Sequence, residues 1–174
     1  MGVCCNVTAM DLLQFNEKGI YCPPADVFLD PSRKVNRALI SHAHSDHARG
    51  GSLAYLAHHD SAEVLRLRLG KNLPLETIGY GEPVVINGVK FSFHPAGHTI
   101  GSAQIRVEYK GEVWVYSGDY KLENDGFSEP FEPVKCDVFI TESTFGLPVY
   151  RWKPQALIFD EIHSWWKGNA AKGI

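Results

Sequence analysis

The sequence has few cysteines and no long apolar stretch. These two features argue against a disulfide-rich or zinc-ribbon protein and against a membrane protein. Of 174 residues four are cysteine, none forms a Cys-x-x-Cys pair, and Cys4 and Cys5 are adjacent. That spacing suits neither a zinc ribbon nor a disulfide framework, so we expect reduced thiols. The longest apolar runs are strand-sized, far below the ~20 residues that a membrane helix needs, so we expect no membrane segment.

The sequence also lacks an excess of basic charge. Lys and Arg number 17 against 20 Asp and Glu, a formal net charge of −3, so no global positive field indicates nucleic acid. Carboxylates set against divalent metal would nevertheless leave the working face more positive than this count suggests. The N-terminus shows no basic region followed by an apolar stretch and a cleavage site, which favours a cytoplasmic protein.

Length and composition favour one globular domain. With 44% hydrophobic content, 174 residues can bury one sizeable core, and no repeat, low-complexity stretch or charge block marks a linker. We therefore predict a single domain over residues 1–174, with no second domain.

Local patterns predict both strands and helices. Alternating segments predict an antiparallel meander with turns at Asn87-Gly88 and Lys110-Gly111, over 84–93, 103–109 and 113–116. Nearly continuous apolar segments predict strands buried under helices, over 37–41 and 137–141. Helices are predicted over 61–69, which Gly70 ends, and over 154–168. The second carries an apolar stripe that needs a partner surface, formed by Ile158, Ile162, Trp165 and Trp166.

The segment HAHSDH, residues 42–47, follows the predicted strand over 37–41 directly and is expected to open a helix. In extended chain, residues two apart point to the same side, so His42 and His44 can share one metal ion. Asp46 and His47, on the next turn, can address a second ion. In a chain with 8 histidines this pattern arises by chance with a probability of roughly one in a thousand, so surface histidines are a poor alternative.

A site for two ions needs more ligands than this segment supplies. His98 lies in a glycine-flanked loop between two predicted strands, and Asp119 follows the third meander strand. Each alone would be an ordinary loop or turn residue, but beside the histidine cluster both are predicted ligands. The remaining histidines are interpreted as surface or structural residues: His58, His59, His94 and His163.

The order of these motifs, an aspartate in FLDP, then HAHSDH, AGHTIGSA and SGDY, resembles the metallo-β-lactamase superfamily. The flanking segments are similar to the ligase-associated DNA exonuclease family of bacteria, which belongs to the β-CASP nucleases: GIYCPPADVFLDP, ALISHAHSDHARGGS, FHPAGHTIGSAQIRVE, VWVYSGDYKLENDGFSEPFEPVKCD and FITESTFGLPVYRW. The resemblance implies an α/β protein with the αββα sandwich of the metallo-β-lactamase fold, represented by its N-terminal half without the C-terminal half and the β-CASP insertion.

The same resemblance implies a function and its partners. It indicates a metal-dependent phosphodiester hydrolase, a DNA exonuclease linked to repair and ligation. Its partner would be nucleic acid, DNA favoured over RNA, with a DNA ligase or helicase as an associated protein. Two divalent metal ions are expected as cofactors, zinc first and manganese as the alternative.

Residue roles also follow from the resemblance. One ion would be held by His42, His44 and His98, and the other by Asp46 and His47. Asp119 would bridge the pair, and Asp30 would contact the ligand histidines from behind. Asp46 is also expected to hold the attacking water, and Glu142, in TESTFG, to orient a catalytic histidine further along the chain.

Three alternatives stay open. The first is an RNA-processing β-CASP ribonuclease, the second a zinc-binding remnant without catalysis, and the third a glyoxalase-like thioester hydrolase. The H-x-H-x-D-H pattern is shared with the third, but TESTFG argues against it. Members of the family continue through a further half that supplies a last ligand histidine, so the resemblance implies an under-coordinated second ion and impaired activity.

Overall fold

The computed structural model describes residues 11–173. Cys4, Cys5 and the N-terminal segment to which the expectation about a leader signal applies lie outside the described residues, whereas Cys22 and Cys136 are free thiols. The chain divides after Glu142 into two compact units. A single domain over residues 1–174 stays a prediction.

Two β-sheets build the first unit. Sheet A has six strands in chain order, the first three antiparallel and the next three added in parallel: β1 (Gln14–Asn16), β2 (Gly19–Cys22), β3 (Val27–Leu29), β4 (Arg37–Ile40), β5 (Ala54–His58) and β6 (Leu75–Ile78). Sheet B has the order β11-β10-β9-β8-β7, antiparallel except for β10 and β11: β7 (Val84–Ile86), β8 (Val89–Pro95), β9 (Ala103–Tyr109), β10 (Glu112–Tyr116) and β11 (Val138–Ile140).

Strand β4 shows how the layers are stacked. Successive side chains of a strand point to opposite faces. Leu39 accordingly joins the main core between the sheets, while Ala38 and Ile40 face the other way, into a smaller core with Leu65. Leu65 comes from helix α1 (Ala62–Leu69), and its complete burial contributes about 1.5–3 kcal/mol. The first unit is therefore a mixed α/β structure with a helix on one of two facing sheets.

Most of the predicted elements of this unit are confirmed. The meander is present, and both residues of each predicted turn have positive φ, 49° and 82° at Asn87-Gly88 and 51° and 85° at Lys110-Gly111. Turns of this kind match the twist of the paired strands. Helix α1 ends at Gly70, as predicted, and β4 is covered on both faces.

The prediction of a buried strand over 137–141 is only partly right. Within residues 11–173, β11 pairs with β10 alone and forms the edge of sheet B. Phe139 is exposed there. A run of apolar letters cannot distinguish a central strand from an edge strand, because that distinction depends on the number of neighbours.

The second unit, Ser143–Ile174, contains the other predicted helix. Helix α2 (Gln155–Asn169) follows Pro154 and is confirmed. None of its described side chains is buried, and Trp165 and Trp166 of the predicted stripe are exposed. No helix within the described residues combines the length and the apolar character needed to cross a membrane.

Candidate metal centre

His42 stands where a central parallel strand ends. It follows β4 and Ser41, and its side chain is completely buried. Two contacts hold this point of the chain against sheet B. The Ala103 amide donates to the Ser41 carbonyl at 2.8 Å, and a Cβ on Gly118 would lie only 2.7 Å from the Ser41 Cβ. Glycine at 118 therefore permits the close approach that brings both sheets to His42.

The rest of HAHSDH forms a turn rather than the predicted helix. One helical hydrogen bond is made, from the Ala48 amide to the His44 carbonyl at 2.9 Å, and it is not continued. Gly50 and Gly51 follow, and Gly51 has a φ of 95°. Such glycines favour leaving the helical conformation, so the turn stays short. A short turn is enough to direct His44, Asp46 and His47 toward one place.

His98 and Asp119 arrive from sheet B on two loops that pack together. The His98 loop closes on the Ser102 hydroxyl, which accepts the His98 amide at 3.1 Å. The loop after β10 is joined to it by the Lys121 amide, which donates to the Ala96 carbonyl at 2.9 Å. A Cβ on Gly97 would collide with the Lys121 carbonyl. Glycine at 97 therefore allows the loops to approach closely enough to set His98 beside Asp119.

Four predicted ligands converge in a first cluster: His42, His44, His98 and Asp119. One ligand atom from each lies within 4.8 Å of all the others. The His98 Nε2 is 3.2 Å from the His44 Nδ1 and 3.7 Å from the Asp119 Oδ2, and the His42 Nε2 is 3.9 Å from that same oxygen. Ligands at about 2.0–2.1 Å around a tetrahedral ion stand roughly 3.3 Å apart. The cluster therefore requires only a small contraction to close on a cation.

A second cluster lies on the other side of Asp119. The His47 Nε2 is 3.2 Å from the Asp119 Oδ1 and 3.6 Å from the Asp46 Oδ2. The Asp119 side chain is 24% exposed and that of Asp46 is 70% exposed, so solvent reaches this cluster at Asp46. The two oxygens of one carboxylate thus face two different sets of ligand-type groups.

Asp30 contacts His47 through the ring nitrogen that faces away from Asp119. Its Oδ2 lies 2.7 Å from the His47 Nδ1, and its Oδ1 accepts the Ser41 amide at 2.7 Å. Tyr116, from β10, donates its hydroxyl to the same Oδ2 at 3.0 Å. Asp30 is thereby held from both sheets.

The pKa shifts describe a cluster prepared to hold cations. Burial, together with the neighbouring histidines, lowers the pKa of His42 to about 2, and burial also lowers the pKa of His98. Burial alone would lower the pKa of His47, but the hydrogen bond to Asp30 and the nearby carboxylates outweigh it and raise that pKa. The His42 Nε2 is buried without a hydrogen-bond partner. A buried neutral imidazole nitrogen facing a carboxylate and other imidazoles fits a divalent metal ion.

Two curated proteins illustrate which sequences this chain resembles. A protein named probable DNA ligase from Opitutus terrae is 33% identical over 147 residues, 83% of this chain. The endoribonuclease YSH1 of Saccharomyces cerevisiae is 39% identical over 94 residues, 52% of this chain. These relatives support a partial region that resembles the β-CASP nucleases of the metallo-β-lactamase superfamily. The predicted resemblance is therefore confirmed at the level of the superfamily.

The metallo-β-lactamase region is short beside its relatives. It spans 14% of the length of the Opitutus terrae protein and 12% of that of the yeast endoribonuclease. No protein-family model matches the chain. A solved metallo-β-lactamase mutant from Cronobacter sakazakii is 21% identical, with a TM-score of 0.41 over 64% of this chain and 60% of that one.

Glu142 lies near the metal centre of the metallo-β-lactamase region. It follows β11, whose parallel pairing with β10 brings it to the edge that carries Asp119. The Tyr120 amide donates to the Glu142 Oε1 at 3.4 Å, and the Glu142 amide donates to the Ser117 hydroxyl at 3.3 Å. The structure therefore brings Glu142 to the edge of the site, beside the loop of Asp119.

Sequence reasoning missed two polar residues of the site and misplaced one histidine. Ser41 and Tyr116 both contact Asp30, and no motif marked either of them. Chain position could have indicated Ser41, because it directly precedes His42 at the end of a strand and so adjoins the same edge of the sheet. His58 is buried, with its ring stacked on Tyr80 at 3.7 Å, rather than at the surface as interpreted.

Proposed function

We propose that this chain is the metal-binding part of a phosphodiester hydrolase that cuts nucleic acid, with DNA as the favoured substrate and exonucleolytic action. The observation that carries the proposal is the position of Asp119. Its Oδ2 faces His42 and His98, and its Oδ1 faces His47. A carboxylate shared in this way suits two cations, and paired cations favour in-line displacement at phosphorus.

The chain's own residues divide the work between binding and proton handling. Divalent cations, when bound, would lower the pKa of a water and neutralise charge on the phosphoryl oxygens. His42, His44 and His98 would hold the first cation, and His47 and Asp46 the second, with Asp119 between them. Asp46 is exposed enough to accept a hydrogen bond from the attacking water as well. Glu142 would orient a group that protonates the leaving oxygen.

The relatives support nucleic acid as the substrate class and differ on its kind. The probable DNA ligase covers most of the metal-binding motifs and favours DNA, together with a role beside a ligase or helicase. The endoribonucleases favour RNA as the alternative substrate. The histidine-rich donor set favours zinc, with manganese as the second candidate. A cytoplasmic location belongs to the same proposal.

Cleavage of end-labelled strands tests the proposal. Single- and double-stranded DNA and RNA would be incubated with zinc or manganese and residues 1–174, or a fusion to the part of the Opitutus terrae protein that follows the matched region. We expect DNA to shorten progressively from one end in the reaction with the fusion protein. Asp46→Ala or Asp119→Ala should abolish cleavage, and Glu142→Ala should slow it by about 10²-fold, the size of one general acid's contribution.

The exposed Asp160 on α2 provides a matched control, and Asp160→Ala should leave cleavage unchanged. Internal cuts in RNA with intact DNA would favour the ribonuclease alternative. Intact nucleic acid of every kind with cleavage of a thioester would show that the nuclease proposal is wrong.

A further inference from the structure

Asp30 is surrounded by groups that donate hydrogen bonds. Its Oδ1 accepts the Ser41 amide at 2.7 Å. Its Oδ2 is contacted by the Ser41 hydroxyl, by the Tyr116 hydroxyl at 3.0 Å and by the His47 Nδ1 at 2.7 Å. An ionised carboxylate offers acceptor sites only and has no proton to give. Each of its neighbours must then give a proton to the contact.

This requirement decides the direction of the bonds at Ser41. A hydroxyl has one proton and two acceptor lone pairs. The Ser41 proton goes to Asp30, so the second contact of its Oγ, with the His42 Nδ1 at 3.1 Å, must be one in which Oγ accepts. The proton of that bond resides on the His42 Nδ1. A neutral imidazole carries one N–H, so the His42 Nε2 is left with a bare lone pair.

We propose that Ser41 is a positioning residue that fixes the tautomer of His42. Because its hydroxyl donates to Asp30, its oxygen accepts a hydrogen bond from the His42 Nδ1, and the His42 Nε2 presents its lone pair to the metal. This inference rests on the proposed metal centre and adds a residue that no motif marks. One carboxylate thereby serves both clusters, acting on His47 directly and on His42 through a hydroxyl.

The surroundings of Ser41 keep the relay in place. The residue is 1% exposed, its carbonyl accepts the Ala103 amide, and its amide donates to Asp30. A Cβ on Gly118 would lie 2.7 Å from the Ser41 Cβ and 2.8 Å from its Oγ, so only glycine at 118 leaves the Ser41 side chain undisturbed. Alanine at position 41, in contrast, keeps the Cβ and the hydrogen bond from the backbone amide to Asp30. Ser41→Ala therefore removes the relay while the Asp30 contact with His47 remains.

Tautomers in the metal-free protein can be measured directly. The ring nitrogens of ¹⁵N-labelled residues 1–174 would be recorded by long-range ¹H–¹⁵N correlation in the presence of chelator. We expect His42 to carry its proton on Nδ1. In Ser41→Ala the Nε2–H form should become populated, and the nitrogen shifts of His47 should stay as they are. A change confined to one ring is not expected from a general loss of structure.

Zinc affinity, measured by competition with a chromophoric chelator, gives the second readout. Ser41→Ala should weaken the tighter site by about 10–100-fold, the usual cost of losing a group that orients a ligand. Ser92→Ala is the matched control, because Ser92 is buried and its hydroxyl lies 3.0 Å from the His94 Nε2, away from the clusters. Its zinc affinity should equal that of the wild type.

Two results would overturn the inference. One is a wild-type His42 with its proton on Nε2, which decides the matter even if Ser41→Ala fails to fold. The other is a folded Ser41→Ala protein with an unchanged tautomer and unchanged zinc affinity. Failure of the proposed function would be distinguishable from failure of this inference. A wild type that binds no zinc would refute the metal centre, and the tautomer of His42, which is measured without metal, would still test the role of Ser41.

Discussion

Two buried histidines of this protein look alike until their neighbours are compared. His42 is 0% exposed and His58 is 1% exposed, and in both the Nε2 has no hydrogen-bond partner. Burial lowers the pKa of both. Burial and an unpartnered nitrogen alone therefore do not distinguish a metal ligand from a structural histidine.

The difference lies in what each Nε2 carries and what it faces. The His58 Nδ1 accepts the Asp60 amide at 3.3 Å, so its Nε2 bears the proton, and its ring stacks on Tyr80. The His42 Nδ1 donates, by the relay inferred above, and its Nε2 faces Asp119 and two further histidines. An unpartnered buried nitrogen indicates a metal site when it has a lone pair and other ligand groups around it.

Replacing each histidine in turn is the strongest way to break this comparison. His42→Ala removes a ligand, so the tighter zinc site should weaken by more than the roughly 100-fold that losing an orienting group can cost. His58→Ala leaves a similar cavity but should change zinc affinity by less than about threefold, since no ligand is lost. Competition with a chromophoric chelator measures both affinities.

Thermal unfolding of the same two metal-free proteins supplies the control. Both should lose stability, because each substitution empties a buried site. Equal losses of zinc affinity in the two variants would mean that His42 acts through the fold rather than as a ligand.

The second prediction concerns the carboxylate that His42 faces. Asp119→Asn keeps the size of the side chain but removes its charge, and with it the shared ligand between the two clusters. We expect the weaker of two zinc-binding events to disappear, because His47 and the exposed Asp46 then remain alone. The tighter event should persist at lower affinity through three histidines.

Titration calorimetry with zinc resolves the two events, and Asp160→Asn should retain both. If Asp119→Asn lost only the tighter binding event, Asp119 would not be the ligand shared between the two clusters.

The sequence predicted which residues cluster at the site but not the contacts that support them. His42, His44, Asp46 and His47 could be predicted because they follow one strand at ligand spacing, and His98 and Asp119 because both lie in loops at strand ends, after β8 and β10. The relay through Ser41 could not, since serine is common and its role depends on a contact with Asp30, 11 residues away. The position of Tyr116 depends on the other sheet, 86 residues from Asp30.

Two errors at the site have physical causes as well. HAHSDH is expected to open a helix, but Gly50 and Gly51 follow too soon for the helix to continue. His58 was assigned to the surface because it adjoins His59 and Asp60, which are exposed. Its own side chain is buried because His58 ends β5, a strand that is covered on both faces and in which residues 55–58 are all buried.

The third prediction tests what places the other ligand-type groups, His98 and Asp119, around His42. Gly97→Ala should lower both stability and zinc affinity, because the new Cβ would push the Lys121 carbonyl and separate His98 from Asp119. Gly88→Ala is the matched control, since that residue also has positive φ, but no atom would lie within 4 Å of its Cβ. It should cost only the backbone strain of about 1–2 kcal/mol and leave zinc affinity unchanged.

Chemical denaturation with and without zinc measures both quantities. Similar behaviour of the two variants would show that strain, rather than the contact between the loops, sets the effect of Gly97→Ala.

The smallest expected effect concerns pH and returns to His58. Its pKa is lowered by burial, so the unfolded chain binds the proton more readily than the folded protein does. Its contribution to stability is therefore complete above the ordinary histidine pKa of about 6.5 and is lost as the pH falls below that value.

His58→Phe keeps a ring to stack on Tyr80 but cannot be protonated. In chelator, the urea midpoint of the wild type should fall between pH 7.5 and pH 5.5, and that of His58→Phe should fall less. The remaining decrease in the variant would come from His42 and the other buried histidines, whose pKa values are lowered in the same direction. An equal or larger decrease in His58→Phe would mean that folding does not lower the pKa of His58, and the contrast with His42 would then rest on geometry alone.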